Sequence, residues 1–191
     1  MRVISGKARG TKINTIESNT TRPTLDRVKE SLFNILQDRI QDSVVLDLFA
    51  GSGALGIEAL SRGASKAIFC DKNSEAIKVI KENLVKTHFL EKAELHNKDY
   101  ERLLKMWKTN RENYNFKFDI IFIDPPYKLD IAVKSVNLIL ENEILKNDGI
   151  IIIETDEIER DLNELKETKE IEIYDIRKYG RANLIFAKMY E

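Results

Sequence analysis

Asp124, Pro125, Pro126 and Tyr127 follow an apolar run, FDIIFI, and contain two of the three prolines in a 191-residue chain. Proline fixes φ and lacks a backbone donor, so two in succession make a rigid turn whose carbonyls point in set directions. With the Asp124 carboxylate beside it, such a turn accepts hydrogen bonds, and the Tyr127 ring offers a flat neighbour. A nucleobase with an exocyclic amino group matches that surface. Its nitrogen lone pair is delocalised into the ring. If the Asp124 carboxylate and the Pro125 carbonyl accept both N–H hydrogens, the nitrogen is drawn toward tetrahedral geometry and the pair is freed for attack. Asp124 would also stabilise the positive charge that develops on nitrogen. Stacking on Tyr127 would contribute about 1–3 kcal/mol. The plainer alternative is a proline pair that ends a strand.

A second constellation lies upstream, in LDLFAGSGALGIEAL. Gly51, Gly53 and Gly56 form G-x-G-x-x-G directly after a strand pattern and at the opening of a helix pattern, and Asp71 follows 20 residues beyond Gly51. Taken alone this is a dinucleotide fingerprint, with the acid placed for a ribose diol, and it admits an NAD-dependent oxidoreductase. Asp47, four residues before Gly51, argues for a different ligand. A carboxylate there is awkward beside a pyrophosphate but suits a cationic amino group. S-adenosylmethionine (SAM) has that group, a sulfonium and a ribose, and no phosphate. Its methyl could be attacked in line by the nitrogen held at Asp124, with positioning supplying much of the acceleration and no metal required. Asp99 opens the segment after the third strand pattern and would either accept from an adenine amino group or cap the helix DYERLL. Cys70 reads as a small buried apolar residue.

These residues need a scaffold that brings strand ends together. After residue 43 the chain alternates apolar runs at 44–49, 66–70, 93–96, 118–123 and 149–154 with helix patterns near 54–62, 73–86, 99–108 and 129–140. Such alternation indicates a parallel sheet covered on both faces, with ligands at its carboxyl edge. The last two runs, 170–176 and 182–188, flank only a short KYGR stretch, so an antiparallel pair is expected there. The fold class is therefore α/β, Rossmann-like, with a seven-stranded, mostly parallel sheet and an antiparallel edge pair. Ahead of it, RVIS and TKINTI could pair through a Gly6–Gly10 turn. RPTLDRVKESLFNIL reads as a helix with Leu25, Val28, Leu32, Phe33, Ile35 and Leu36 as its apolar stripe and Asp26 near its positive end. Residues 1–42 are expected to form a basic extension and 43–191 the catalytic domain.

Charge supports that division. Residues 1–29 hold seven Lys/Arg against two acids, while the whole chain is net −1. A basic end on an acidic body faces a polyanion or is a solvated arm. No apolar run reaches the ~20 residues of a membrane span, and the N-terminus lacks a signal-peptide pattern. A single cysteine excludes an intramolecular disulfide, and a cytoplasmic location is expected. His88 and His96 fall on different expected elements with no cysteine nearby, so no metal site is expected. Trp107 ends a helix pattern and reads as a packing residue. The acidic stretch 154–170 reads as a solvated helix face with Asp156–Arg160 at i,i+4 spacing.

The two motifs carry a resemblance. LDLFAGSGALGIEALSRGA with IDPPY is similar to the class I SAM-dependent amino-methyltransferases. RVISGKARG, RPTLDRVKESLFNIL and KYGRANLIFAKM narrow this to the bacterial 16S rRNA (guanine-N2) methyltransferases, along essentially the whole chain. The resemblance implies methylation of a guanine exocyclic N2 (guanine 966 in standard rRNA numbering) on the small ribosomal subunit. It implies a base site of Asp124, Pro125, Pro126 and Tyr127. It implies a SAM site of Asp47, Phe49, Gly51, Ser52, Gly53, Asp71, Lys72, Asp99 and Tyr100. Arg2, Lys7, Arg9, Arg22 and Arg27 would face RNA; for Arg22 and Arg27, surface salt bridging is an equal alternative. A DNA adenine-N6 methyltransferase is the competing enzyme, but little more than 60 residues follow the DPPY motif, too few for a DNA-recognition domain. A protein-glutamine methyltransferase would carry Asn in place of Asp124. A non-catalytic RNA-binding assembly factor with the same fold would fail to bind SAM. A monomer is the default expectation.

Overall fold

The computed structural model describes residues 1–191 except 17–21, 111–113, 115, 127–130 and 191, and no side chain of residues 22–25. Two compact units divide the chain, Met1–Asp99 and Tyr100–Glu191. In the first, an irregular N-terminal segment precedes α1 (Arg22–Ile35) and the single turn α2 (Gln37–Ile40). Then β1 (Val44–Asp47), α3 (Ala54–Ser61), β2 (Lys66–Asp71), α4 (Ser74–Thr87) and β3 (Ala93–Asn97) alternate as expected. Their strands lie in the order β3-β2-β1, all parallel, with Val45 opposite Ala67 and Phe69 opposite Leu95. Near-continuous Val, Ile, Leu and Phe at these positions suits strands buried on both faces. Val45, Leu46, Ile68 and Phe69 are fully buried.

The second unit holds α5 (Tyr100–Thr109), β4 (Phe118–Ile123), α6 (Ile131–Glu141), β5 (Leu145–Thr155), α7 (Ile158–Lys166), β6 (Ile171–Tyr179) and β7 (Ala182–Met189). Its strands run β4-β5-β7-β6. β4 and β5 are parallel, whereas β7 is antiparallel to both β5 and β6. Tyr179 pairs with Ala182, leaving Gly180 and Arg181 as a two-residue hairpin turn. The seven strands are thus mostly parallel with an antiparallel pair at the end, as the sequence indicates. β5 starts at Leu145 rather than 149, because Leu145 already pairs with Phe118 before the register shifts to Ile120–Ile150. Among the described residues no helix is long and apolar enough to cross a membrane.

RVIS and TKINTI pair briefly, through the antiparallel bridge Arg2–Lys12 and backbone bonds from Val3 N–H to the Thr11 carbonyl at 3.0 Å, Gly10 N–H to the Val3 carbonyl at 2.9 Å and Ile13 N–H to the Met1 carbonyl at 3.2 Å. The donors between them go elsewhere: Ile4 and Ser5 N–H donate to the Glu58 carboxylate at 2.8 and 3.0 Å. Ala8 N–H donates to Ser61 Oγ at 2.9 Å. On α1, Val28, Leu32, Phe33 and Leu36 are buried, but Ile35 is exposed and buried Lys29 takes a place on the inner face. Asp26 lies in the second turn of α1, beyond the first-turn position that favours an acid.

Candidate functional site

β1 delivers Asp47 to the foot of the glycine loop. The loop backbone is left-handed at Gly51 and Gly53, with φ of 53° and 77°. Gly53 also occupies the N-cap position of α3, and no side chain of its own caps that helix. Asp47 takes over the task from the preceding strand: its Oδ2 accepts from Gly56 N at 3.0 Å. Gly56 has a different reason to be glycine. A Cβ there would lie 2.3 Å from Cε1 of the buried Phe69 ring, so the close approach of α3 to β2 requires its absence. Asp47 itself is 2% exposed. Burial, with a smaller push from the Asp71 charge, drives its carboxyl up to about 7 against the pull of the Gly56 N–H.

Asp71, at the end of β2, is half-buried and held from two sides. Gly51 N–H donates to Oδ2 at 2.9 Å and Asn73 N–H donates to Oδ1 at 2.8 Å. Each oxygen keeps a further lone pair, so the carboxylate is fixed in direction while still able to accept from a diol. Asn73 also caps α4 by accepting from Glu75 N–H at 2.9 Å. Asp99 is exposed and immediately precedes α5. Asp71, Asp99 and Asp47 converge electrostatically on Cys70. Burial first, then these three negative charges in that order, push the thiol up to about 12.

The remaining cofactor candidates are varied in setting. Phe49 and Ser52 are half-buried, Lys72 is exposed, and Tyr100, the first residue of α5 in the second unit, is buried. Within the first unit, the oriented Asp71 carboxylate and the open space where Gly51 would carry a Cβ suit a ligand rich in donors. In the second unit, β4 ends at Ile123, followed by half-buried Asp124, buried Pro125 and exposed Pro126. Tyr127 lies outside the described residues. Arg2, Lys7, Arg9 and Arg27 are exposed, and none forms an ion pair among the described residues. Arg22 begins α1, its side chain outside the description. His88 serves as the left-handed cap of α4, and His96 pairs with Glu94 at 2.8 Å.

Two buried polar residues that the motifs did not reveal hold the site's surroundings. Glu58, 0% exposed on α3, accepts the two N-terminal donors described above. It also pairs with Lys29 at 3.2 Å and Arg62 at 2.9 Å. Asn83, likewise 0% exposed, bonds from α4 to the backbone of Asn14 and Ser52. Both sit at inward positions of mainly apolar helical faces; a charged or amide residue at such a position is the signal that could have marked them.

With this geometry in hand, comparison with known proteins is decisive. The family described as Conserved hypothetical protein 95 matches residues 1–188. Ribosomal RNA small subunit methyltransferase D of Haemophilus influenzae is 40% identical over 157 residues, covering 82% of this chain and 79% of its own. The chain belongs to the small-subunit rRNA methyltransferase D family. YlbH of Bacillus subtilis is 43% identical over 156 residues, covering 82% of this chain and 83% of its own. The solved structure of yhhF from Escherichia coli superimposes with a TM-score of 0.81 at 29% identity, covering 99% of this chain and 97% of that one. The methyltransferase D fold is the class I methyltransferase fold that the motif resemblance implies, on the Rossmann-like sheet expected from the strand pattern.

Proposed function

We propose that this protein methylates a guanine exocyclic N2 of 16S rRNA, using SAM as methyl donor. The observation that carries the reading is the Asp71 carboxylate, held by Gly51 and Asn73 N–H groups at the end of β2 beside the left-handed glycine loop. That is an oriented acceptor for a ribose diol in a family whose members are named as rRNA methyltransferases. Bound SAM would supply a sulfonium-activated methyl group. The loop backbone at Gly51–Gly53 would approach it closely, and Asp47 would fix the loop from below while placing negative potential near its amino group. Asp99 would receive the adenine amino group, with Phe49, Ser52, Lys72 and Tyr100 completing the surroundings.

The Asp124-Pro125-Pro126-Tyr127 turn would hold the target base. Asp124 and the Pro125 carbonyl accept the two amino hydrogens, Pro126 stiffens the turn, and Tyr127 stacks. Asp124 would then stabilise the charge that develops on nitrogen as the carbon–sulfur bond to the methyl breaks, leaving S-adenosylhomocysteine, and one amino proton would afterwards pass to solvent. Residues 1–42 would make the RNA-contacting extension of a catalytic domain spanning 43–191. Exposed Arg2, Lys7, Arg9 and Arg27, unpaired among the described residues, support a phosphate contact that weakens with salt. Arg22 would join them at the rim. The base would be taken from an unstacked strand, since a paired one costs a few kcal/mol to extrude.

The test is methyl transfer from labelled SAM to unmethylated small ribosomal subunits, naked 16S rRNA and double-stranded DNA. Label is expected on guanine N2 of the RNA. Asp124→Ala should lower transfer by about 100-fold or more, the usual cost of removing one transition-state partner, while S-adenosylhomocysteine still binds. Label on DNA adenine, or transfer untouched by Asp124→Ala, would overturn the reading.

A further inference from the structure

The glycine loop and the cationic N-terminal segment meet on one buried side chain. Asn83 lies on the inner face of α4, fully shielded from solvent. Its Oδ1 accepts from Asn14 N–H at 2.7 Å, and its Nδ2 donates to the Asn14 carbonyl at 2.9 Å. The side-chain amide thus pairs with the Asn14 backbone as a neighbouring strand would. The same Nδ2 also donates to the Ser52 carbonyl at 2.9 Å, between Gly51 and Gly53. One amide therefore commits both donor hydrogens and an acceptor lone pair, two bonds to the segment and one to the loop.

We propose that Asn83 is a positioning residue that couples the N-terminal segment to the cofactor loop, so that RNA and cofactor each tighten binding of the other. This rests on the function proposed above, with RNA phosphate at the segment and SAM at the loop. The first half of the segment is held by its own short pairing and by Glu58 and Ser61, and Asn83 holds it further along, at Asn14. Asn14 stands two residues beyond exposed Lys12 and is gripped again on its outer side. Its Nδ2 donates to Glu82 at 2.7 Å, and its Oδ1 accepts from Lys86 at 2.5 Å. Restraining the segment on a polyanion restrains Asn14, and a fixed Asn14 leaves the Asn83 amide one orientation. In that orientation its second hydrogen meets the Ser52 carbonyl. If the amide turned away, buried polar groups on the segment, the loop or both would lose their partners, a full desolvation penalty. Ordering the loop around a cofactor acts through the same three bonds in reverse, and such coupling is reciprocal by thermodynamic necessity.

The experiment measures the dissociation constant of S-adenosylhomocysteine, which binds without turnover, with and without saturating unmethylated small ribosomal subunits. The dissociation constant of the subunits, as the source of RNA, is measured with and without S-adenosylhomocysteine. In the unaltered full chain each ligand should tighten the other about fivefold or more, by the same factor in both directions. In Asn83→Ala the factor should fall toward one, and thermal melting reports whether that variant is folded. Asn14→Pro provides a second route. It deletes the N–H that Asn83 accepts, together with the Asn14 side-chain bonds to Glu82 and Lys86, without changing a residue of α4 or of the loop, and it should likewise lower the factor. A purely structural Asn83 would shift the melting temperature and leave the factor unchanged. A factor of one in the unaltered chain with both ligands bound, or an unchanged factor in both folded variants, overturns the proposal alone. Failure to bind S-adenosylhomocysteine at all, or binding it without binding RNA, overturns the functional reading and the proposal with it.

Discussion

The glycine loop and the N-terminal segment are both irregular stretches of backbone, but they are held in place by opposite means. The loop is held locally. Asp47 reaches nine residues ahead to Gly56 and Asp71 reaches 20 residues back to Gly51, all within one β-α-β turn of chain. The segment, beyond its own short pairing, is held from afar: Glu58, Ser61 and Asn83 take donors of it across separations of 53 to 69 residues. A local latch gives a loop that forms with its own supersecondary unit. A distant latch gives a segment whose position depends on the finished fold around it.

The largest way to break this contrast is Glu58→Ala. It leaves the Lys29 ammonium buried without its carboxylate and two N-terminal donors without an acceptor. Removing one partner of a buried pair costs about 3–5 kcal/mol. Chemical denaturation should show that loss, and hydrogen exchange should show Ile4 and Ser5 deprotected while Gly56 stays protected.

Gly56→Ala attacks the loop side instead. The new methyl would meet the Phe69 ring, an overpacking cost of about 1–3 kcal/mol. Phe69→Leu in the same chain should recover part of it, giving a coupling energy of about 0.5–3 kcal/mol in a double-mutant cycle.

A pH-dependent effect sharpens the account of Asp47. Its folded value of about 7 lies above its ordinary value of 3.8. Between those pH values the folded chain holds a proton there that the unfolded chain has released. Stability contributed by the neutral form is therefore complete below pH 3.8 and falls as pH rises toward 7. Asp47→Asn, which stays neutral, should gain on the unaltered protein across that window by at most about 1.4 kcal/mol per pH unit. Urea denaturation at pH 4, 5.5 and 7 would reveal the gap, and an equal difference at all three would refute it.

The same contrast explains what the sequence disclosed. Run length suffices for β1, β2, β4 and the buried part of β5, which are nearly continuous apolar runs, while β6 is mostly exposed and is betrayed by the short turn that joins it to β7. Gly51, Gly53, Gly56, Asp47 and Asp71 stand at short, readable spacings. Glu58 and Asn83 were hidden because a polar residue in a helix reads as its solvent face until the long-range partners are known. The N-terminal pairing is legible from its alternating pattern and its Gly6–Gly10 turn, but nothing in that pattern shows that the Ile4, Ser5 and Ala8 donors go to Glu58 and Ser61. Ile35 was included in the α1 stripe on hydrophobicity alone, whereas the helix turns it toward solvent and Lys29 inward.

Cys70 has a practical consequence for anyone wishing to watch this molecule move. With its thiol pushed up to about 12, on the order of one molecule in 100,000 carries the reactive thiolate at pH 7, and the sulfur is buried besides. A single cysteine introduced on the surface of the N-terminal segment would accordingly outcompete it for a maleimide dye. A fluorescence reporter can then be attached without first removing the native thiol.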